Sequence, residues 1–591
     1  MPYPYSLLPT HSGQDGPRQS ILTNVFLSLI ALLSLACFVF VVPHNAEYLL
    51  SPSQLWSVHA SAYPPYPIPH DSPPPEDPRP PLYQRYTAYE TALPQHDESS
   101  PYPEGSHTKF IFFANHGWGA GWGNALQEMI MNAHLAHTSG RAFVFDNYTW
   151  LREGPEYSDF NGKLIPSRIP LPALVAGPLA GYPYSNSTTA HTHPRFVSRH
   201  YYHQVCPDPY VLDSNVVRNT IPSDASAVQT MDIWLSKLDS IDARCIEIKK
   251  DTPQLFDIWL IGSPRLHDIL PSLVESPVVR DFAWSPLIQY AFQQNQHHFT
   301  SSFLSHKPLL SILFPHLTSR DSNTIHDDSF TPSSNADFDF THSLAPTPAI
   351  TQSTPLPLLA LHLRRGDFIE HCDNLYSWNS LYTGFNTLPS LPDRFFAENS
   401  TLKDEMSGEE IRQGYRDKCL VDANKVRKRV IKAVAEWREE RLKQERARRS
   451  WWSCWFWRRW GEEGRVKKML RKVYIMTNGD REWLEELKEA LYDDGRRSVV
   501  RHGSRNSRSF GKEDVGVETE YDFEFAWSWD EVSTSRDLEL GWETKYVAQA
   551  LDMYVGQRAE VFVGNGFSSL TGIVVLLRTA AGVEPWRTRF W

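Results

Sequence analysis

"LALHLRRGDFIEHC", residues 359–372, decides the fold. Leu359, Ala360 and Leu361 lead into His362, then Arg364, Arg365, a glycine and Asp367. A short apolar run bounded by a turn signal reads as a buried strand. Two fixed cations at its end stand where an open parallel sheet meets its ligands, at the carboxyl edge of the strands. Alternation along a strand sends Arg364 and Arg365 to opposite sides. A guanidinium stays charged and forks two donors toward phosphate oxygens.

The same rhythm runs through the chain. "KFIFFAN" (109–115) is a strand, a glycine-rich turn follows, then the helical run "NALQEMIMNAHLAHTSG" and the strand "AFVFD" (142–146). Farther on, "KVYIMTN" (472–478) precedes the helix "REWLEELKEAL", and "EVFVGN" precedes the helix "SSLTGIVVLLRTAAG". Strands alternating with helices predict parallel sheets and an α/β class. A Ser-, Thr-, Asp- and Pro-rich insertion at 318–356 divides an N-terminal half, 107–317, from a C-terminal half, 357–591. Two Rossmann-like halves facing a cleft would hold ligands between them.

Net charge over 591 residues is −11, which disfavours wholesale binding to nucleic acid. Val25–Val42 is 18 residues without a charge. As a helix it spans about 27 Å, just enough for a bilayer core. Arg18 is the only Lys or Arg ahead of it and Arg79 the first behind it, so the tail 1–24 is expected to face the cytosol. The expectation is a single-pass type II membrane protein of the secretory pathway, in the Golgi or endoplasmic reticulum, with its bulk luminal. Residues 43–106, with "YPPYPIPHDSPPPEDPRPP", read as an extended Pro-rich stem. Acceptor sequons at Asn147, Asn186 and Asn399 fit that compartment. Five cysteines lie outside the anchor, so at most two disulfides form. Chain order suggests Cys206–Cys245 and Cys372–Cys419, which sequence alone does not establish.

Two further stretches carry chemistry. "VFVGNGFSSLTG" (561–572) ends a strand, turns through Gly564 and Gly566, and opens a helix near Ser568–Ser569. Free N–H groups and the positive dipole end there suit an anion, although serine is also an ordinary N-cap. With the arginines, it could grip one diphosphate. "ANHGWGAGWGNALQEM" (114–129) places four alternating glycines between strand and helix, with Asp146 at the end of the next strand. That arrangement admits an NAD-dependent, membrane-anchored oxidoreductase, but the glycine spacing misses the dinucleotide fingerprint. "DFD" at 337–339 sits in the insertion with no strand to place it, and no residue set has the spacing of a metal site. The Trp-rich stretch "WWSCWFWRRW" (451–460) suits a membrane interface, a partner surface or a packed flap equally.

In this order the three stretches resemble the GDP-fucose-dependent protein O-fucosyltransferase-like family, its fungal members most of all. An H-x-R-R-x-D-F pattern falls on His362, Arg364, Arg365, Asp367 and Phe368. A G-N-x-x-S-S-x-T pattern falls on Gly564, Asn565, Ser568, Ser569 and Thr571, and a Gly-x-Gly-Asn element on Gly121, Gly123 and Asn124. The resemblance implies a GT-B fold of two Rossmann-like domains and an inverting, metal-independent transfer of fucose from GDP-fucose, with no further cofactor. The acceptor would be a protein Ser/Thr hydroxyl or a glycan. Arg364 would bind the diphosphate and stabilise the leaving GDP, with Ser568, Ser569 and Thr571 on its other side. His362, Arg365, Asp367, Gly121, Gly123, Asn565 and Glu560 would help place the donor. Gly121 stands where the family often has an arginine. For the base, Glu128 is the candidate, one helical turn past Asn124, which is the alternative. A luminal relative that binds GDP-sugar or glycan without catalysis would keep the same donor residues.

Overall fold

The computed structural model describes residues 63–300, 355–395, 408–447, 466–500 and 527–591, less 75 and 367. The anchor 25–42, the tail, the insertion up to 354, the Trp-rich stretch, Asn399 and Asp367 lie outside the described residues. Among the described residues, no helix is long and apolar enough to cross a membrane.

The N-terminal half is built on β1 (Phe110–Phe113), β2 (Ala142–Phe145), β3 (Val197–Ser198), β4 (Tyr210–Leu212) and β5 (Cys245–Ile248). They form one parallel sheet in the order β3-β2-β1-β5-β4. The C-terminal half repeats the plan with β6 (Leu356–Leu363), β7 (Lys472–Thr477), β8 (Glu531–Thr534), β9 (Ala559–Gly564) and β10 (Thr588–Phe590). Its order, β8-β7-β6-β9-β10, is again all parallel. Strands covered by helices on both faces must be apolar throughout. That is why "FIFF" of β1 and Leu358–Leu363 of β6 are buried at every position. Each fully buried large apolar side chain there contributes about 1.5–3 kcal/mol.

Chain direction across each sheet reverses at its centre, between β1 and β5 and between β6 and β9. In sheets of this kind the crevice beyond those strand ends is where ligands bind. The longer helices around the two sheets include α1 (Trp122–Thr138), α2 (Phe368–Ser377), α3 (Gly408–Cys419), α4 (Ala423–Ala447), α5 (Arg481–Val500), α6 (Ala548–Arg558) and α7 (Ser569–Ala580).

Two boundaries differ from those expected. Of the last helices before the insertion, Pro286–Gln294 packs mainly on Ala548–Arg558 of the C-terminal half and Gln296–Phe299 on that half's sheet. Trp284 Nε1 donates to Gln557 Oε1 at 2.8 Å, and the rings of Phe292 and Phe299 meet Tyr554 and Tyr474 at 5.1 and 5.0 Å. The second correction concerns the stem. From Tyr63 onward it is a packed strap that touches both halves. Tyr63 stacks on Tyr182 at 4.9 Å, and Gln95 Nε2 donates to the carbonyls of Gly181 and Phe196. Toward the C-terminal half, Arg85 pairs with Glu543 at 2.7 Å, and Tyr83 Oη donates to the Glu543 carbonyl at 2.6 Å. Proline content argued for an extended chain. The tyrosines interleaved with it supply large apolar faces with a polar tip, and those faces bury.

Candidate active site

Both disulfides of the chain-order expectation are present, Cys206–Cys245 and Cys372–Cys419, each with its Cα atoms 5.9 Å apart. The second clamps the site. It ties α2, which starts just after the two arginines, to the last residue of α3. The Cys419 carbonyl in turn accepts from Asn565 Nδ2 at 3.4 Å.

Arg364 and Arg365 part as alternation requires. The Arg364 guanidinium carbon lies 4.8 Å from the centre of the Phe368 ring, while that of Arg365 lies 3.9 Å from the Trp483 ring on α5. The Arg365 backbone N–H donates to Asn478 Oδ1 at 2.8 Å, fixing the turn. His362 is buried, and its Nδ1 is 2.8 Å from Thr571 Oγ1, while its carbonyl accepts from Trp591 Nε1. Burial, with Arg364 beside it, lowers its pKa to about 3, so the ring is neutral. Through Thr571 it joins β6 to α7.

The loop between β9 and α7 is held from below. Asn386 Nδ2 donates to the carbonyls of Gly566 and Ser568, and Asn565 Oδ1 accepts from the Phe567 N–H. Gly566 is obligatory. A Cβ there would sit 2.4 Å from the Tyr382 ring. Ser568 precedes α7 as its N-cap without a side-chain capping bond, and its Oγ is buried with no protein partner. The first amides of a helix have no intrahelical acceptor. An unpartnered hydroxyl at that position therefore adds a donor to an anion-binding end.

The glycine-rich element meets this same helix end. A Cβ on Gly123 would lie 2.6 Å from the Leu570 backbone nitrogen and 2.8 Å from Ser569 Oγ. Gln127 Nε2 donates to the Ser569 carbonyl at 3.0 Å. The N-termini of α1 and α7 thus converge, one from each half. Gly123→Ala is expected to cost about 1–3 kcal/mol by overpacking and to abolish ligand response, because backbone rather than a flexible side chain blocks the methyl. Urea unfolding beside calorimetric titration checks it.

On the N-terminal sheet, the crevice past β1 and β5 is an open cavity of about 560 Å³ walled by Asn115–Trp118, Arg152 and Asp251–Gln254. Asn115 Nδ2 donates to the Pro253 carbonyl at 2.7 Å, and Arg152 pairs with Asp251 at 3.6 Å. Behind this wall, Glu128 Oε2 accepts from the Gly117 N–H at 2.9 Å and from Gln254 Nε2 at 2.7 Å. Burial outweighs those bonds and raises the carboxyl to about 7. Asn124 stands in the first turn of α1, its N–H on the Gly121 carbonyl.

Glu560 is placed elsewhere than expected. Its carboxylate is enclosed by Trp437 and Arg441 of α4 and by Arg587, all within 2.9 Å, in a buried ion cluster. Asp552 of α6 was not anticipated. It accepts from Tyr474 Oη at 2.6 Å and from Ser535 Oγ at 3.0 Å, and burial raises it to about 6. Among the described residues, no group of three or more His, Cys, Asp or Glu is gathered as a metal site would need.

No protein-family model matches this chain, and no curated protein matches it. Solved structures do. A crystal structure of POFUT1 in complex with GDP-fucose is 12% identical, with a TM-score of 0.36, covering 82% of this chain and 97% of that one. A second crystal form of that complex is 12% identical at 0.35, covering 84% and 99%. POFUT1 in complex with GDP is 13% identical at 0.33, covering 82% and 97%. What the site can do is read from its own residues.

Proposed function

We propose that the chain is an inverting, metal-independent glycosyltransferase that moves fucose from GDP-fucose to an acceptor hydroxyl, a protein Ser/Thr being favoured by the sequence resemblance. The observation that carries the reading is the convergence at one edge. The arginine-bearing end of β6, the unpartnered Ser568 hydroxyl at the α7 N-terminus, and the glycine-rich start of α1 meet between two parallel sheets. Arg364 offsets charge growing on the leaving diphosphate, and the α7 amides with Ser568, Ser569 and Thr571 hold its other side. The acceptor oxygen bonds to the anomeric carbon as the carbon–oxygen bond to phosphate breaks, and GDP leaves with the electron pair. The hydroxyl proton passes to a base, for which Glu128 is suited because a carboxyl near 7 can exchange protons at neutral pH.

The test is a thermal-shift series on the full-length chain with GDP, GDP-fucose, GDP-mannose, UDP and NAD. A ligand at a hundred times its Kd adds about 2.7 kcal/mol. Stabilisation by GDP and GDP-fucose with release of GDP supports the transferase. Binding of GDP-fucose with no GDP released identifies the inactive binding relative, and a response to NAD alone the oxidoreductase.

We assign the chain to the lumen of the Golgi or endoplasmic reticulum, anchored by Val25–Val42. Two disulfides, one in each half, support an oxidising compartment. Asn186 is exposed at a helix N-cap, whereas Thr149 of the Asn147 sequon is buried. Protein made in a secretory host is expected to carry N-glycan at Asn186 and none at Asn147, checked by glycosidase treatment and peptide mass spectrometry.

A further inference from the structure

Beside the crevice, α1, the end of β2 with Asn147–Thr149, and the His116–Gly117 turn line a second, partly open cavity of about 30 Å³. One water needs roughly 10–15 Å³ by that measure and two to four polar partners. His116, Glu128, Asn132 and Asp146 are among its walls. His116 Nδ1 lies 3.0 Å from the Phe113 carbonyl, which can only accept. The ring proton therefore sits on Nδ1, and Nε2 is left as a lone pair. His116 Nε2 and Asn132 Oδ1 are both buried without a protein partner. Both residues line this small space, and two acceptors cannot satisfy each other.

A water satisfies both with its two hydrogens, and its own lone pair then needs a donor. Among the polar groups of that wall, the Glu128 carboxyl can supply one, but only as the O–H form. We propose that this cavity binds one water that donates to His116 Nε2 and Asn132 Oδ1 and accepts from protonated Glu128, so that Glu128, the water and His116 relay a single proton. The charged groups around the pair are Asp146 at the end of β2, bonded to Arg199 at 3.1 Å, Arg152, which donates to the His116 carbonyl, and Glu90 near Asp146. Burial raises Glu128 and lowers His116, as a neutral acid beside a neutral base requires, while Asp146 favours the imidazolium.

In the relay step the Glu128 O–H bond breaks, the water passes a proton on, and an N–H bond forms at His116 Nε2. No proton is gained or lost overall. The carboxylate so unmasked is the base of the transfer reaction, a role that rests on the fucosyltransferase reading. His116 acts through Glu128 and is a positioning residue.

The proton itself is tested without any donor. Infrared difference spectra of the full-length chain at pH 6, wild type minus E128Q, should show the carbonyl stretch of a protonated carboxylic acid. That band should shift in H116F, where the water loses an acceptor; N132L also removes the Asn132 side chain that hydrogen-bonds Glu128, so H116F is the decisive variant. A difference spectrum showing only carboxylate overturns the relay, and so does a band unmoved in H116F. Should E128Q fail to fold, the wild-type-minus-H116F and wild-type-minus-N132L spectra still read the band. In protein that binds GDP-fucose, H116F should lower GDP release about a hundredfold with donor affinity unchanged. An unchanged rate overturns the catalytic use of the relay. Absence of donor binding in the wild type removes the transferase reading and that use with it, while the infrared result stands apart.

Discussion

Arg364→Ala protein should lose most of its response to GDP-fucose while remaining folded. The side chain is half-buried with its guanidinium over the Phe368 ring, a contact worth about 0.5–1 kcal/mol at such a site. Its larger effect falls on the ligand. A charge-assisted hydrogen bond to phosphate contributes about 1.5–3 kcal/mol, or roughly ten- to a hundredfold in affinity. Where charge grows on the leaving group, loss of such a donor costs about a further hundred- to a thousandfold in rate. Arg364→Lys keeps the charge and loses the fork, so it should fall between. Arg365→Ala is the control. Its guanidinium rests on Trp483, so it should cost more in stability than in affinity. Calorimetric titration with GDP and a GDP-release assay separate these outcomes. Equal losses from both arginines would contradict the assignment of the diphosphate to Arg364.

The arginines were readable because a strand end is a local signal, and local signals survive in sequence. So were the glycine–serine loop and the alternation of strand with helix. Sheet order was not, since nothing in "VFVGN" says that it pairs with β6 some two hundred residues earlier. His362 shows the limit well. Its position after an apolar run suggested a ligand contact, yet its partner is Thr571, 209 residues away, and only the packed sheet brings them together. The strap failed for a different reason. Proline marks a segment that cannot pair into sheets, but it says nothing about whether neighbouring tyrosines find a surface. His116 was passed over because a histidine in a glycine-rich turn carries no pattern. Its meaning lies in an unpartnered nitrogen on a residue that lines the same cavity as Glu128.

Glu560 is the other residue the sequence misplaced, and its removal should be the most damaging single change to the fold. A lone carboxylate in an apolar strand resembles a ligand contact until the arginines are counted. Arg578, Arg587 and Arg589 all fall within the last 14 residues, and Arg441 closes from α4. Glu560 is 1% exposed, with Oε1 accepting from Trp437 and Arg441 and Oε2 from Arg587. Arg578 lies alongside, donating to the carbonyls of Gln557, Ala559 and Arg587, and its pKa is lowered to about 9, first by burial and then by Arg587. Glu560→Ala leaves the buried Arg441 guanidinium without its counter-charge and leaves Arg587 with Glu584 alone, a change that costs about 3–5 kcal/mol. Glu560→Gln keeps an acceptor and the volume, so it should cost less. The cluster ties α4 and the turn leading into β10 to β9, the neighbour of the central strand β6, so its loss should lower the urea midpoint of the whole C-terminal half. Any loss of GDP-fucose response should then follow unfolding rather than precede it. A folded Glu560→Ala protein with wild-type stability and no donor binding would return Glu560 to the binding site.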